Sequence, residues 1–349
     1  KKIYKIALPS NPSDGLYTYT ITGKDSVGKE TLVTRNIRLD TKGPVIETTS
    51  PDFSDWQNQK TVRVTGTATD DSLVSAVWFS TKSSAAKPTS GSAALNDSTW
   101  TNAGWKKATS TSSWRLTLNG DAATTDSDYI FEGDSNTLKI CAVDSNGIVT
   151  DTVLEKTVKM DSAFPVIMNT TYKQGAEAEN PLVSGTKVYI GSDLVIGGKV
   201  SDTYKVSTVK VDISKSGQTT KSDTVAVNAS GEKTWASKTF TVGSGKDLSV
   251  EGDWTVKVTV TDGAGKVTEG SYTISVDYTA PTISSVTYKQ TKDTTKDFAS
   301  GGTWADYNGI TIGITADDGQ GSGISAKEFY IGTAATMTET ALNAVASSD

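Results

Sequence analysis

Aspartate is the side chain in this sequence that recurs at fixed places and carries chemistry. Three segments close on Asp, three residues and then Pro: Asp40 to Pro44, Asp161 to Pro165, and Asp277 to Pro281. Upstream of each closing Asp stands an Asp-x-x-Gly turn, at Asp25, Asp144 and Asp262. Between the prolines a β-like stretch ends in Asp: VRVTGTATD at Asp70, LVIGGKVSD at Asp202 and ITIGITAD at Asp317. Asp71 and Asp318 directly follow two of these. Ca²⁺ takes about six to eight hard oxygen ligands, and carboxylates converging from several loops supply that chemistry. Asp is also a turn residue in its own right, because its side chain accepts backbone N–H bonds locally.

Other chemistries are excluded by the counts. The 349 residues contain no His, so Ser-His-Asp and Cys-His catalysis, imidazole metal ligands and a histidine pH switch are absent. A single Cys can neither close a disulfide within the chain nor build a thiolate zinc site. With 34 Lys+Arg against 40 Asp+Glu the net charge is −6, and no basic stripe is present to neutralise phosphates. Nucleic acid is therefore not an expected partner. No apolar run approaches the roughly 20 residues that cross a bilayer. The chain has neither an initiator Met nor a signal peptide, and reads as a mature segment or an excised piece.

The elements that position these aspartates repeat. The segments ending at Pro44, Pro165 and Pro281 align with one another, and an identical Thr-Tyr-Lys-Gln follows two of them, at Thr171–Gln174 and Thr287–Gln290. This predicts four pieces. Residues 1–42 are the C-terminal part of one repeat, 43–161 and 162–277 are complete repeats, and 278–349 are the N-terminal part of a further one. Trp254, Val256, Val258 and Val260 occupy alternate positions, as do Tyr17, Tyr19 and Ile21. Period two with one apolar face means half-buried strands. The Asp-x-x-Gly turns then join strands as hairpins. No segment of ten or more residues has helical periodicity, although 334–346 has room for a short turn. Many short strands with polar turns predict two-sheet β-sandwiches.

The closing Asp-x-x-x-Pro-x-Ile, the Asp-x-x-Gly hairpin before it and the Ser-Gly-Ile at Ser322–Ile324 resemble the tandem bacterial Ig-like repeats of large surface proteins and adhesins. The resemblance implies an all-β fold of tandem Ig-like sandwiches in an elongated array, in an extracellular, bacterial cell-surface setting. In an Ig-type sandwich the entering linker lies beside the B–C and F–G loops. That arrangement groups Asp40 with Asp70, Asp71 and Asp144; Asp161 with Asp202 and Asp262; and Asp277 with Asp317 and Asp318, as candidate inter-repeat Ca²⁺ ligands.

Five of eight tryptophans, Trp56, Trp78, Trp100, Trp105 and Trp114, fall in residues 43–161. Trp78 takes the strand-C position that such sandwiches bury. Trp100 and Trp114 are expected to cover the sandwich edge. Trp105 is the ring most expected in a loop, where it would suit a glycan ligand. Cys141 falls on the solvent-alternate side of its strand if Ile140 points inward, or is a small buried residue near the edge.

The expected function is a non-catalytic spacer or stalk segment whose partners are neighbouring repeats of the same polypeptide. The alternatives are an adhesin module that binds a glycan or host protein through 43–161, and accessory domains of a large secreted enzyme. No cofactor beyond Ca²⁺ is expected.

Overall fold

The structure, a computed structural model, describes residues 12–290, 310–319 and 321–325. It is nearly all β-strand, and the chain divides into two units, Lys1–Phe164 with Gly263–Lys266, and Pro165–Asp262 with Val267–Asp349. The segment 334–346 lies outside the described residues.

The first unit begins with a hairpin of β1 (Gly15–Lys24) and β2 (Glu30–Leu39), paired from Gly15 with Leu39 to Lys24 with Glu30. Asp25 closes its turn by accepting the N–H groups of Val27 and Lys29. The rest of the unit contains β3 (Val45–Ser50), β4 (Trp56–Gln57), β5 (Thr61–Thr69), β6 (Val74–Ser80), β7 (Lys106–Lys107), β8 (Ser113–Asn119), β9 (Gly133–Asp144) and β10 (Leu154–Met160). They form a three-stranded sheet, β3-β5-β8, and a five-stranded sheet, β4-β10-β9-β6-β7. Val62, Val64, Trp114, Leu116 and Leu118 of the first sheet pack on Val77, Phe79, Leu138, Ile140 and Val158 of the second. Each such side chain contributes about 1.5–3 kcal/mol by leaving water. This is a β-sandwich, as the alternating pattern predicts.

Trp78 is buried as expected, but where the tryptophans pack departs from expectation. Phe79 and Val77 face the sandwich core, while Trp78 lies in a second core on the opposite face of the same sheet. The connection after β6 carries a 3₁₀ turn (Ser92–Leu95) and a six-residue helix, α1 (Asp97–Asn102), capped by Asn96, whose side chain accepts the N–H of Ser98. It covers that face. Trp100 stacks on Trp78 with ring centroids 5.3 Å apart, and Trp105 meets Trp100 edge-on at 5.6 Å. Trp114 sits in the sandwich core and not at its edge. The insertion thus gives one sheet two buried faces. Pattern reading misses this because an outward-facing position is apolar only where something covers it.

Ile140 faces the sandwich core, which puts Cys141 on the alternate side of the strand, yet the second core buries it fully. Burial pushes its thiol up to about 12. The thiol therefore stays protonated near neutrality, and the thiolate is the reactive form. A maleimide or disulfide reagent at pH 8 is expected to leave Cys141 untouched in the native chain and to modify it after denaturation.

In the second unit β11 (Val166–Gln174), β12 (Asn180–Pro181), β13 (Lys187–Ile190), β14 (Leu194–Ser214), β15 (Lys221–Ala236), β16 (Gly252–Asp262) and β17 (Val267–Val276) form one seven-stranded network. The first half of β14 pairs with β11 and its second half with β16. Ile196 and Val200 from the first half share one core with Val209, Val211, Val256, Val258 and Ile274. The predicted turn after Asp202 is instead a bulge within β14. The pairing of β14 with β15 breaks register between Asp202 and Val206, and the Asp202 carboxylate accepts the N–H groups of Tyr204 and Lys205. Last come β18 (Thr282–Gln290) and β19 (Ile310–Asp317), an antiparallel pair.

Four residues before Asp70, Asp202 and Asp317 stands a glycine: Gly66, Gly198 and Gly313. A Cβ there would lie 2.1 Å from the carbonyl O of Glu47, 2.3 Å from that of Asn169, and 2.5 Å from Oγ1 of Thr287, respectively. At Gly66 and Gly198 the strand crosses its neighbour's backbone too closely for a side chain, beside a register shift in β3 or β11, whereas at Gly313 the obstacle is the Thr287 hydroxyl.

Candidate functional site

The first unit brings Asp40, Asp70 and Asp144 together, each presenting a carboxylate oxygen within 4.8 Å of the others. Asp40 follows β2, Asp70 follows β5, and Asp144 ends β9, so a hairpin exit and two sandwich loops meet there. Local bonding fixes each group. Asp144 is fully buried, and its Oδ1 accepts the N–H groups of Asn146 (2.9 Å) and Ile148 (2.7 Å). Oδ1 of Asp70 accepts the Ser72 N–H at 2.8 Å, and Oδ1 of Asp40 accepts that of Lys42 at 3.3 Å.

The Ser72 hydroxyl lies 2.7 Å from Oδ1 of Asp70 and 3.1 Å from Oδ2 of Asp144, with one hydrogen to give between them. Oδ2 of Asp40 is buried without a hydrogen-bond partner. Among the described residues no lysine or arginine forms an ion pair with any of the three carboxylates. Burial works against the Asp40 charge, yet the nearby Ser72 hydroxyl and the Lys42 N–H outweigh it and hold its pKa below the ordinary value. Asp70 moves the other way: burial raises it, the Asp40 charge adds, and Ser72 only partly opposes. Three converging carboxylates that no cationic side chain pairs with among the described residues are a group that could hold a divalent cation.

Asp71 does not join this group. It is exposed and lies 3.9 Å from the Arg38 guanidinium, because the residue after Asp70 points away from it into solvent. In the second unit Asp202 and Asp262 are both buried and present oxygens within 4.8 Å of each other. Asp161, in the first unit, is buried at the end of β10, where its own N–H donates to the Gln57 carbonyl and its Oδ1 accepts from Ala163. Oδ2 of Asp277 accepts the Ser322 N–H and Oδ2 of Asp318 that of Gly323, so both face the glycine loop. Asp317 turns to the N–H of Gly319 and closes its own turn.

Trp105, the ring proposed for a glycan, offers no face to one. It is 2% exposed, and its Nε1–H donates to the Ala86 carbonyl at 2.8 Å. Its loop folds back over the sheet because Trp78 and Trp100 need covering. The sequence signal that was missed is the Asn-Asp-Ser-Thr at Asn96–Thr99, an N-cap followed by a short helix that buries Trp100.

No protein-family model matches the sequence, and no curated protein is similar to it. By structure the chain is similar to a tetra-tandem repeat in the extending region of a large adhesion protein, at 17% identity and a TM-score of 0.28 over 87% of this chain and 70% of that one. It is similar to latent PorU from Porphyromonas gingivalis at 10% identity and a TM-score of 0.24, over 78% of this chain and 29% of that one. A purple acid phosphatase from yellow lupin seeds (Lupinus luteus) gives 14% identity and a TM-score of 0.20, over 70% and 43% respectively. Scores this low assign no family. The all-β assignment rests on the strands and cores described above. Among the described residues no helix is long and apolar enough to cross a membrane.

Proposed function

We propose that this chain is a non-catalytic spacer segment of a bacterial cell-surface protein, extracellular and built of Ig-like repeats, with Ca²⁺ held by Asp40, Asp70 and Asp144. The observation that carries the reading is recurrence. Closing Asp-x-x-x-Pro, glycine and aspartate return at matching places in successive copies, which suits a repeated structural unit better than one reaction centre. A cation among the three carboxylates offsets their repulsion and ties the exit of the β1–β2 hairpin to the loops after β5 and β9. Proline after each closing Asp restricts the linker further, because it fixes φ and limits the residue before it. With Trp105 buried, the glycan-binding alternative loses its best candidate ring.

Small-angle X-ray scattering tests the spacer. A compact globule of this length has a radius of gyration of about 20 Å. A spacer with its repeats in single file is expected to scatter with a clearly larger value, and a radius near 20 Å would contradict it.

A further inference from the structure

In the first unit the turn at Asp144 returns the chain along β9, where Val149 bridges Val143 and the Thr150 N–H donates to the Ala142 carbonyl. Two other segments meet this return. One is the connection between β2 and β3. A Cβ on Gly43 would lie 2.3 Å from the Val149 carbonyl oxygen and 2.8 Å from the Thr150 nitrogen, so the two backbones touch with no room for a side chain. The other is the insertion that covers Trp78, residues 81–105. Its Gly91 N–H donates to the Gly147 carbonyl at 2.8 Å, and its Ser90 Oγ accepts the Val149 N–H at 3.0 Å. Lys87 Nζ donates to the Thr150 and Asp151 carbonyls at 2.7 and 2.6 Å, and charge strengthens both bonds. The Val149 side chain completes the attachment, 2% exposed within the second core.

The sequence pairs these two features. Glycine precedes the closing proline at Pro44, where the following sandwich carries the insertion, whereas Phe164 and Ala280 precede Pro165 and Pro281. In the second unit β14 passes into β15 through residues 215–220 alone.

We propose that the insertion is a lock on the β2–β3 connection. Docked, it fixes Val149 and Thr150 as the surface on which Gly43 rests; undocked, it releases that surface and the connection with it. Backbone against backbone has no flexible end to absorb a displacement, so a shift on one side reaches the other. Such an opening is local and leaves the sandwich core folded. Coupling between two sites is reciprocal, so a connection forced off Val149 must also loosen the insertion. The lock needs no cation, and it stands or falls separately from calcium binding when tested in chelator.

The test uses the 349-residue chain in chelator, without denaturant. Trypsin cleavage after the exposed Lys42 reports release of the connection, and maleimide labelling of Cys141 beneath the insertion reports undocking. Lys87→Met combined with Ser90→Ala removes the two Lys87 bonds and the Ser90 bond. The double variant is expected to be cut after Lys42 about tenfold faster than the unsubstituted chain. Gly43→Ala leaves the insertion's own residues intact, yet should speed Cys141 labelling about tenfold as well. Cleavage after Lys42 at the unsubstituted rate in the double variant would overturn the proposal, as would Cys141 labelling that Gly43→Ala does not change. Equal acceleration of cleavage after Lys159, inside β10, in either variant would mean that the whole sandwich opens, and would overturn it too.

Discussion

Replacing Gly66 with alanine is expected to destabilise the first unit by about 3 kcal/mol, the upper end of what overpacking a core costs. A methyl group there would sit 2.1 Å from the Glu47 carbonyl oxygen and 2.1 Å from Cζ2 of Trp114. One obstacle is backbone in the paired strand β3. The other is a ring 1% exposed in the sandwich core. Neither can swing aside as the end of a flexible side chain does, so the strand or the ring must shift, and close-packed interiors transmit such shifts. Gly198→Ala in the second unit should behave alike, since its Cβ would lie 2.3 Å from the Asn169 carbonyl oxygen and its φ is +144°. Gly23→Ala is the control. Its nearest neighbour is 3.9 Å away, so removing backbone freedom should leave stability unchanged or raise it by about 0.5–1 kcal/mol. Urea unfolding followed by tryptophan fluorescence separates these cases, and equal midpoints for Gly66→Ala and Gly23→Ala would refute the packing argument.

Calcium is expected to raise the melting temperature of the intact chain by about 5–10 °C at a hundredfold excess over Kd. Binding to the folded state alone at that excess adds about 2.7 kcal/mol, and each kcal/mol moves the midpoint by about 2–4 °C for a domain of roughly 150–250 residues. Asp144→Asn is the discriminating variant. An amide oxygen can still accept the N–H bonds from Asn146 and Ile148, so the loop geometry survives. One of three converging charges disappears, which relieves repulsion without calcium and removes a ligand with it. The variant should therefore melt at or slightly above the unsubstituted chain in chelator, and should lose most of the calcium-dependent rise. The rise should also shrink as pH falls toward the carboxylate range, Asp70, whose pKa is raised, protonating before Asp40, whose pKa is lowered. A variant that responds to calcium as fully as the unsubstituted chain would exclude this site.

Much of this was legible in the residues because period-two alternation and Asp-containing turns are local signals. Tyr17, Tyr19 and Ile21 announce a strand face, and Asp25 its hairpin, without reference to anything distant. The convergence of Asp40, Asp70 and Asp144 could be read because each aspartate occupies a fixed place in a two-sheet fold. Three things were not legible. The second core under Trp78 depends on an insertion folding back, and no short-range pattern reports that. The exposure of Asp71 beside a half-buried Asp70 is a matter of one backbone step. Asp202 looks like the end of a strand, yet its carboxylate satisfies the N–H groups of Tyr204 and Lys205 and lets β14 continue through a bulge. Gly66, Gly198 and Gly313 were in plain view at a constant spacing. Their meaning at Gly66 and Gly198, a close crossing of strands, needed coordinates.

The most direct measurement is isothermal titration of Ca²⁺ into the calcium-free 349-residue chain, beside Asp144→Asn under the same conditions. Saturable binding in the millimolar range or tighter is expected for the unsubstituted chain, with one fewer ion bound by the variant. Identical stoichiometry for the two, or no saturable binding at millimolar calcium, would contradict a cation held by Asp40, Asp70 and Asp144.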